Sequence, residues 1–211
     1  MTDDVPFYVG LARQADGPIV ELAVGTGRVA IPVAVATGRT VIGIDSSPAM
    51  LAQARAAAAA AGVELDLREG DMRDLELSEP AAMIYCPYRS LLHLPTWADR
   101  RRTFERVAGS LLPDGRFVWN AFAFDHRVAA RRDGKHEEQP VAHSLHYDVA
   151  DNRIDINLDR GGTSSVWWAT KNEWLGLLDV SGLELEALYG SFDGSPVTGE
   201  SREYIFVASR P

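Results

Sequence analysis

The amino-acid sequence predicts an α/β fold: a mostly parallel sheet with helices on both faces, plus a small antiparallel β cap. Short apolar runs alternate with helical segments from Ile19 to Phe122, a pattern typical of a parallel sheet covered on both sides. A glycine turn at 25–27 joins the first apolar run directly to a helix. After Phe122 the pattern changes to short β runs separated by turn residues, which predicts the cap.

The first half of the chain reads as a series of strand–helix units. The first two strands are predicted over Ile19–Val24 and Thr40–Ile44, and the helix between them ends near Gly38, a residue suited to the left-handed conformation. Ser47 caps the next helix, whose alanine-rich sequence stops at Gly62. The remaining elements of this half are strands Val63–Leu67, Ala82–Tyr85 and Arg116–Phe122, and a helix from Thr96 to Leu112.

The second half contains the predicted cap and the end of the sheet. The cap consists of three β runs, His143–Val149, Arg153–Asp159 and Ser165–Ala169. A helix over Lys171–Val180 and strands over Leu183–Tyr189 and Glu203–Ala208 follow. We predict a single domain over 1–211, with a segment of approximately 123–170 inserted as a substrate cap.

Composition limits the class of partner. The 211 residues suffice for one domain with a full core. A net charge of −9 and a pI near 5.0 oppose a nucleic-acid partner, so we expect a small molecule. No apolar run could span a bilayer, and Met1 does not begin a signal-peptide pattern. The lone cysteine, Cys86, excludes a disulfide framework and a Cys-based zinc site. We expect no metal, no membrane partner and a cytoplasmic location.

The stretch Ile19–Arg28 predicts a ligand cradle. Glycine permits positive φ and close approach of a ligand to the backbone, and the N-terminus of the following helix adds a mildly positive floor. The spacing Gly25-x-Gly27-x-x-Ala30 fits the dinucleotide fingerprint, with Asp45 about 20 residues further on. An oxidoreductase that binds a nicotinamide dinucleotide is therefore one alternative.

Three features favour S-adenosylmethionine (SAM) as the ligand instead. Glu21 is an acid inside the first strand, where it can act through water on the methionine amino group. Asp45 runs directly into a new helix. Asp71 and Met72 follow the third strand, where an acid and a neighbouring backbone N–H can bind adenine.

In this order the motifs resemble those of the class I, Rossmann-like, SAM-dependent methyltransferases. The stretch 21–27 is similar to their glycine-rich first motif, with Ala23 in place of the first glycine. Asp45 resembles the acid that binds both ribose hydroxyls, and Asp71-Met72 the adenine-contacting pair. Cys86-Pro87-Tyr88 falls where the fourth-strand motif closes over the methyl group. The predicted cofactor-binding residues are Glu21, Ala23, Gly25, Thr26, Gly27, Arg28, Asp45, Ser46, Met50, Asp71, Met72 and Cys86.

The resemblance implies a seven-stranded sheet whose last strand is antiparallel, SAM as cofactor, and methyltransferase activity. The C-terminal sequence is similar to that of small-molecule members, including amino-sugar N-methyltransferases. The expected acceptor is an N or O group of an amino sugar, a small amine or a hydroxylated metabolite. A non-catalytic SAM-binding protein of the same fold is a further alternative.

The acceptor side is predicted from the loops after the fourth and fifth strands, because ligands of such sheets bind at the carboxyl ends of strands. The predicted substrate-binding residues are Tyr8, Tyr88, Arg89, His93 and Asn120. Tyr8 precedes the first strand and either covers the acceptor or staples the first helix. His93 or His126 is the candidate catalytic base, and the alternative is a histidine that hydrogen-bonds to backbone. His143 and His146 are expected to line the inner face of the cap.

Overall fold

The computed structural model describes residues 3–138 and 141–211 and contains two sheets. The main sheet is formed by β1 (Ile19–Leu22), β2 (Val41–Asp45), β3 (Leu65–Glu69), β4 (Ala81–Cys86), β5 (Leu111–Phe122), β10 (Glu184–Tyr189) and β11 (Glu203–Ser209). The second sheet, named here the cap sheet, is formed by β6 (His136–Glu137), β7 (His143–Asp148), β8 (Arg153–Leu158) and β9 (Thr163–Trp167). The helices are α1 (Val5–Gln14), α2 (Ala30–Thr37), α3 (Pro48–Ala60), α4 (Trp97–Ser110), α5 (His126–Arg132) and α6 (Lys171–Ser181).

The strand order of the main sheet is β3-β2-β1-β4-β5-β11-β10. The five strands from β3 to β5 are parallel to their neighbours, and β11 is antiparallel to both β5 and β10. The cap sheet is antiparallel throughout. These observations confirm the predicted fold class.

Helices cover both faces of the main sheet. Side chains alternate along its strands, so each face carries apolar side chains that must be buried. Val20 and Leu22 of β1 belong to a core cluster with Phe104 of α4 and Trp174 of α6. Ile19, on the opposite face of β1, belongs to a second cluster that includes side chains of α1, α2 and α3. Among the described residues, no helix combines the length and apolar character that crossing a membrane requires.

The helix ends form by the predicted signals. Gly38 ends α2 in the left-handed conformation at φ 66°. The Ser47 hydroxyl accepts a hydrogen bond from the Met50 amide at 3.3 Å and caps α3. The sequence analysis did not identify the capping box of α6, in which Thr170 and Glu173 each bond the other's backbone N–H.

The structure differs from the prediction at several points. β1 ends at Leu22, two residues early, because Ala23 adopts φ 54° and turns the chain out of the sheet. β5 already begins at Leu111, and its pairing with β4 is interrupted by a register shift around the 113–115 turn. α5, a short helix capped by Asp125, was not predicted.

Candidate active site

The carboxyl ends of β1, β2 and β3 converge at one edge of the main sheet. The Val24 amide donates to the carbonyl of Ile44 at 3.0 Å, and the Gly70 amide donates to the carbonyl of Asp45 at 3.0 Å. The turns that follow these three strands are therefore tied together by backbone hydrogen bonds. This edge carries most of the predicted cofactor-binding residues.

The glycine turn, residues 23–27, is concave towards open space. Ala23, Gly25 and Gly27 have φ angles of 54°, 56° and 83°. A Cβ placed on Gly25 would have Ala23 O at 4.0 Å as its nearest neighbour, so a ligand can approach this backbone closely. A Cβ on Gly27 would lie only 3.0 Å from the Ile31 side chain. Gly25 therefore leaves one side of the turn open, whereas Gly27 allows the start of α2 to pack closely.

Asp45 connects the glycine turn to the start of α3. Its Oδ2 accepts a hydrogen bond from the Gly25 amide at 2.8 Å, and its Oδ1 accepts one from the Ser47 amide at 2.8 Å. Each carboxylate oxygen can accept a second bond, and the residue is partly exposed. Asp45 can therefore accept hydrogen bonds from two ligand hydroxyls. Ser46 and Met50 are exposed beside it, as is Thr26 in the glycine turn.

Glu21 is a buried carboxyl group beneath this edge. The Tyr85 hydroxyl donates to Glu21 Oε2 at 2.8 Å. Burial raises the pKa of Glu21 to about 8, so the group is mostly protonated at neutral pH in the free protein. A positive ligand group nearby would favour its ionised form. Cys86, at the end of β4, is also buried, and burial raises the pKa of its thiol, which is therefore neutral.

Asp71 is held by an arginine that the sequence analysis did not single out. The Asp71 carboxylate accepts from the Arg73 amide at 2.9 Å and pairs with the Arg73 guanidinium at 2.6 Å, which lowers the pKa of Asp71. Arg73 also pairs with Asp99 at 2.9 Å. Asp71 is therefore ionised and fixed in orientation, while Met72 is half-buried against the core. The Asp-x-Arg spacing at a turn was the available signal.

Arg28 joins the glycine turn to the neighbouring wall of the site. Its two terminal nitrogens each lie 2.7 Å from an oxygen of Asp4, a fully buried residue at the start of α1. Its guanidinium carbon lies 5.2 Å from the centroid of the Tyr88 ring, within the range of a cation–π contact. Arg28 and Tyr88 therefore lie together beside the start of α2.

A cavity of about 630 Å³, named here the cap cavity, lies between the cap sheet and the loops after β4 and β5. Its wall is mainly apolar side chains with charged groups among them. It is lined by Tyr88, Arg89, Leu92, His93, Phe122, Ala123, Phe124, Asp125, Val128, Ala129, Arg132, His143, Leu145, Tyr147, Ile154, Ile156, Ser164, Val166 and Arg202. Three of the predicted substrate-binding residues, Tyr88, Arg89 and His93, belong to this lining.

The other two predicted substrate-binding residues, Tyr8 and Asn120, are fully buried and outside this lining. The Tyr8 hydroxyl donates to Asn120 Oδ1 at 3.2 Å. The Tyr8 ring also packs 5.3 Å from that of Tyr85. In this structure Tyr8 anchors α1, which corresponds to the second of the two roles predicted for it.

The loop after β4 is fixed by a glutamate that the sequence analysis did not identify. Arg89 Nε and Nη2 donate to the carboxylate of Glu203 at 3.0 and 2.6 Å. Glu203 also accepts from Asn120 Nδ2 at 2.6 Å. Because β11 is antiparallel, its first residue lies at the edge where the parallel strands end. The resemblance implied an antiparallel strand beginning at Glu203, and its direction was the available signal for this residue.

The structure separates the two candidate catalytic histidines. His93 lines the cap cavity, and its Nδ1 lies 3.2 Å from the carbonyl oxygen of Ser165. Because a carbonyl only accepts, Nδ1 carries the proton and Nε2 keeps a free lone pair. His126 is the first residue of α5, is exposed, and does not line the cavity.

The expectation that His143 and His146 both line the cap is wrong for His146. His143 lines the cap cavity, together with Leu145 and Tyr147 of the same strand. His146 lies on the other face, with its Nδ1 3.5 Å from Asp133. Residues three apart on a strand face opposite sides, because the side-chain period is two.

Comparison with protein families finds a match over residues 19–115, to the family described as "Methyltransferase domain". The dTDP-3-amino-3,6-dideoxy-alpha-D-glucopyranose N,N-dimethyltransferase of Streptomyces fradiae is 36% identical over 97 residues. This match covers 46% of the chain and 36% of the relative. The chain thus aligns with about a third of the length of that curated relative.

Solved structures share the whole fold at low sequence identity. An S-adenosylmethionine-dependent methyltransferase from Clostridium acetobutylicum has a TM-score of 0.86 and 13% identity, covering 99% of this chain and 91% of its own. The CcbJ methyltransferase from Streptomyces caelestis has a TM-score of 0.81 and 23% identity, with coverages of 100% and 94%. The SAM-bound amino pentose methyltransferase CalS10 from Micromonospora echinaspora has a TM-score of 0.72 and 21% identity, with coverages of 100% and 90%.

Proposed function

We propose that the chain is a class I, S-adenosylmethionine-dependent methyltransferase that methylates a nitrogen atom of a small amino-sugar acceptor. The match of residues 19–115 to a methyltransferase domain and the similar folds of solved methyltransferases support the predicted family and cofactor. The acceptor class is supported by the relative from Streptomyces fradiae, which is an amino-sugar N,N-dimethyltransferase. The observation that carries the proposal is that the cap cavity adjoins the glycine turn. Tyr88 lines the cavity, and its ring centroid lies 5.2 Å from the guanidinium carbon of Arg28, the residue after that turn.

The residues around the glycine turn fit the cofactor. Gly25 leaves its backbone open to close approach, and Asp45 has acceptor capacity for two ribose hydroxyls. Glu21, buried under the same edge, would ionise beside a cationic group, because an opposite charge favours the charged form. The predicted roles of these residues, and of Asp71 and Met72 towards adenine, remain proposals.

Bound SAM supplies an already activated methyl group, so the protein's main tasks are alignment and removal of an acceptor proton. The apolar cap side chains, such as Leu145 and Ile154, line the cavity in which we place the acceptor. We assign proton removal to His93 Nε2, because the carbonyl of Ser165 favours the neutral tautomer with its proton on Nδ1. His126 does not line the cap cavity.

Calorimetry with SAM and S-adenosylhomocysteine is the first test, with NAD as the comparison ligand. We expect binding of the first two and none of NAD. Binding of neither adenosyl ligand would refute the proposal, and a pyridine-nucleotide response alone would favour the oxidoreductase alternative.

The acceptor is tested by screening amino sugars, small amines and phenols for formation of S-adenosylhomocysteine. We expect turnover with amino sugars in preference to phenols. Tight SAM binding without turnover of any acceptor would instead favour the non-catalytic alternative.

A further inference from the structure

We propose that Glu203 is a positioning residue for methyl transfer: through Arg89 and Asn120 it holds the turn that places Tyr88 in the cap cavity. The proposal rests on the proposed function of the cap cavity as the acceptor site. Glu203 does not line that cavity, so it acts only through the residues it holds.

The turn after β4 is unfavourable on its own. Tyr88 and Arg89 have φ angles of 58° and 64°, so two consecutive non-glycine residues adopt the left-handed conformation. Side chains with a Cβ rarely occupy this region, and such conformations persist where the surrounding structure imposes them. The surroundings of this turn must therefore supply the constraint.

That constraint is the Glu203 clamp, formed by Arg89, Asn120 and Glu203. The Arg89 guanidinium donates to the Glu203 carboxylate through Nε and Nη2 at 3.0 and 2.6 Å, which is a charge-assisted forked pair. The Arg89 amide donates to Asn120 Oδ1 at 3.3 Å, and Asn120 Nδ2 donates to Glu203 Oε1 at 2.6 Å. The backbone of Arg89 is thus bound by Asn120 of β5 and its side chain by Glu203 of β11, and both of these residues are buried.

The clamp determines where Tyr88 lies. The Tyr88 side chain is 60% exposed, lines the cap cavity and faces the Arg28 guanidinium. Arg28 is itself fixed by Asp4. Tyr88 therefore stands between the glycine turn and the cap cavity, where a small displacement would change the alignment of acceptor and methyl group. Because Glu203 binds the Arg89 guanidinium, the role of Arg89 is to hold this turn.

The chain offers a matched control pair. Arg116 and Glu186 join β5 to β10 with the same forked geometry, at 2.8 and 2.7 Å. Neither residue lines the cap cavity. Comparing Glu203→Gln with Glu186→Gln therefore separates the loss of a forked ion pair in general from the loss of this clamp.

Hydrogen exchange with S-adenosylhomocysteine bound is the first measurement. We expect Glu203→Gln to accelerate exchange of the amides of residues 88–92 by about tenfold or more, because opening of the turn becomes easier. Glu186→Gln should leave these amides unchanged. If Glu203→Gln does not fold, Arg89→Lys replaces it with the same expectation, because lysine keeps the charge and loses the fork.

Kinetics with the acceptor found by the screen is the second measurement. We expect Glu203→Gln to lower kcat/KM on the order of 10²-fold, the scale of a small misalignment, while SAM affinity changes less than about twofold. Equal exchange and equal kinetics in the two glutamine variants would overturn the proposal. A loss of SAM affinity with unchanged exchange at 88–92 would also overturn it. Because exchange requires no acceptor, failure of the proposed function is seen separately, as absent turnover in the wild type.

Discussion

The two halves of the molecule build their parts of the site in different ways. In the cofactor half, residues 19–115, the proposed cofactor site is shaped by backbone: positive φ at Ala23 and Gly25, and amides that bond the Asp45 carboxylate. In the acceptor half, residues 116–211, the proposed acceptor site is lined by side chains: apolar ones from the cap sheet, and charged ones such as Arg132, which forms a forked pair with Glu137.

The family match covers the cofactor half and ends at residue 115. A backbone that needs positive φ beside a ligand favours glycine, so part of this requirement is visible in the sequence. Ala23, which also has a positive φ, does not show it. An apolar cavity wall can be built from many combinations of side chains. The residues predicted to bind the cofactor all lie in the matched segment.

The largest expected effect is in the cofactor half. Gly25→Val should abolish SAM binding, because a β-branched side chain at φ 56° strains the turn and fills the open space beside it. Calorimetry measures this loss. Gly10→Val in α1 is the control, since a Cβ there meets no atom within 4 Å. Wild-type binding by Gly25→Val would show that the glycine turn is not the cofactor site.

At the proposed acceptor site, His93→Gln should lower kcat by about 10²–10⁴-fold with little change in SAM affinity, because the proposed general base is lost. His126→Gln is the matched control and should retain activity, because His126 lies outside the cap cavity. The loss in His93→Gln should grow as pH falls if the acceptor is an ammonium group that must lose its proton. Full activity in both variants would leave alignment as the sole contribution of the protein.

Asp45→Ala should weaken SAM binding by on the order of tenfold to a thousandfold, because two charge-assisted hydrogen bonds of roughly 1.5–3 kcal/mol each are removed. The fold should persist, which melting curves check. Asp66→Ala provides a comparison, since Asp66 lies on the adjacent strand β3, where its carboxylate pairs with the partly exposed Arg68. Normal SAM affinity in Asp45→Ala would contradict the assigned ribose site.

The smallest effect concerns Glu21 and pH. Its pKa is raised by burial from 4.5 to about 8, so the folded state binds this proton more tightly than the unfolded state. The stability contribution is therefore complete below the unfolded pKa and falls as pH rises towards 8, by at most about 1.4 kcal/mol per pH unit. Denaturant unfolding at several pH values should show this decline in the wild type. An identical pH dependence in Glu21→Gln would argue against it.

Sequence reasoning succeeded where the determining interactions are local. The cap at Ser47, the glycine end at Gly38 and the strand–turn–helix unit around Gly25 are each specified within a few residues. The early end of β1 and the early start of β5 depend on details of the backbone. The left-handed conformation of Ala23 is one of them, and the residue type alanine does not indicate it.

The groups that the sequence did not indicate have distant partners. Glu203 bonds Asn120 across 83 positions and Arg89 across 114. No spacing rule links such residues, because their proximity results from the antiparallel pairing of β11 with β5 and the parallel pairing of β5 with β4. The Tyr8–Asn120 bond, across 112 positions, joins α1 to β5 and likewise depends on the packing of distant elements. In this chain, interactions between residues close in sequence can be predicted. The hydrogen bonds among Arg89, Asn120 and Glu203 follow only from the order and direction of the strands.

A small apolar cluster of Leu145, Ile154 and Trp168 supports the cap sheet, with Phe124 stacked on Trp168 at 4.2 Å, and Phe122 at the end of β5 joins it to the main core. For protein engineering, the cavity-facing positions of the cap are therefore the ones to randomise, and Phe122 is one to keep. Under the proposed function, libraries at Ile156 and Tyr147 should yield new acceptor preferences while leaving cofactor affinity intact.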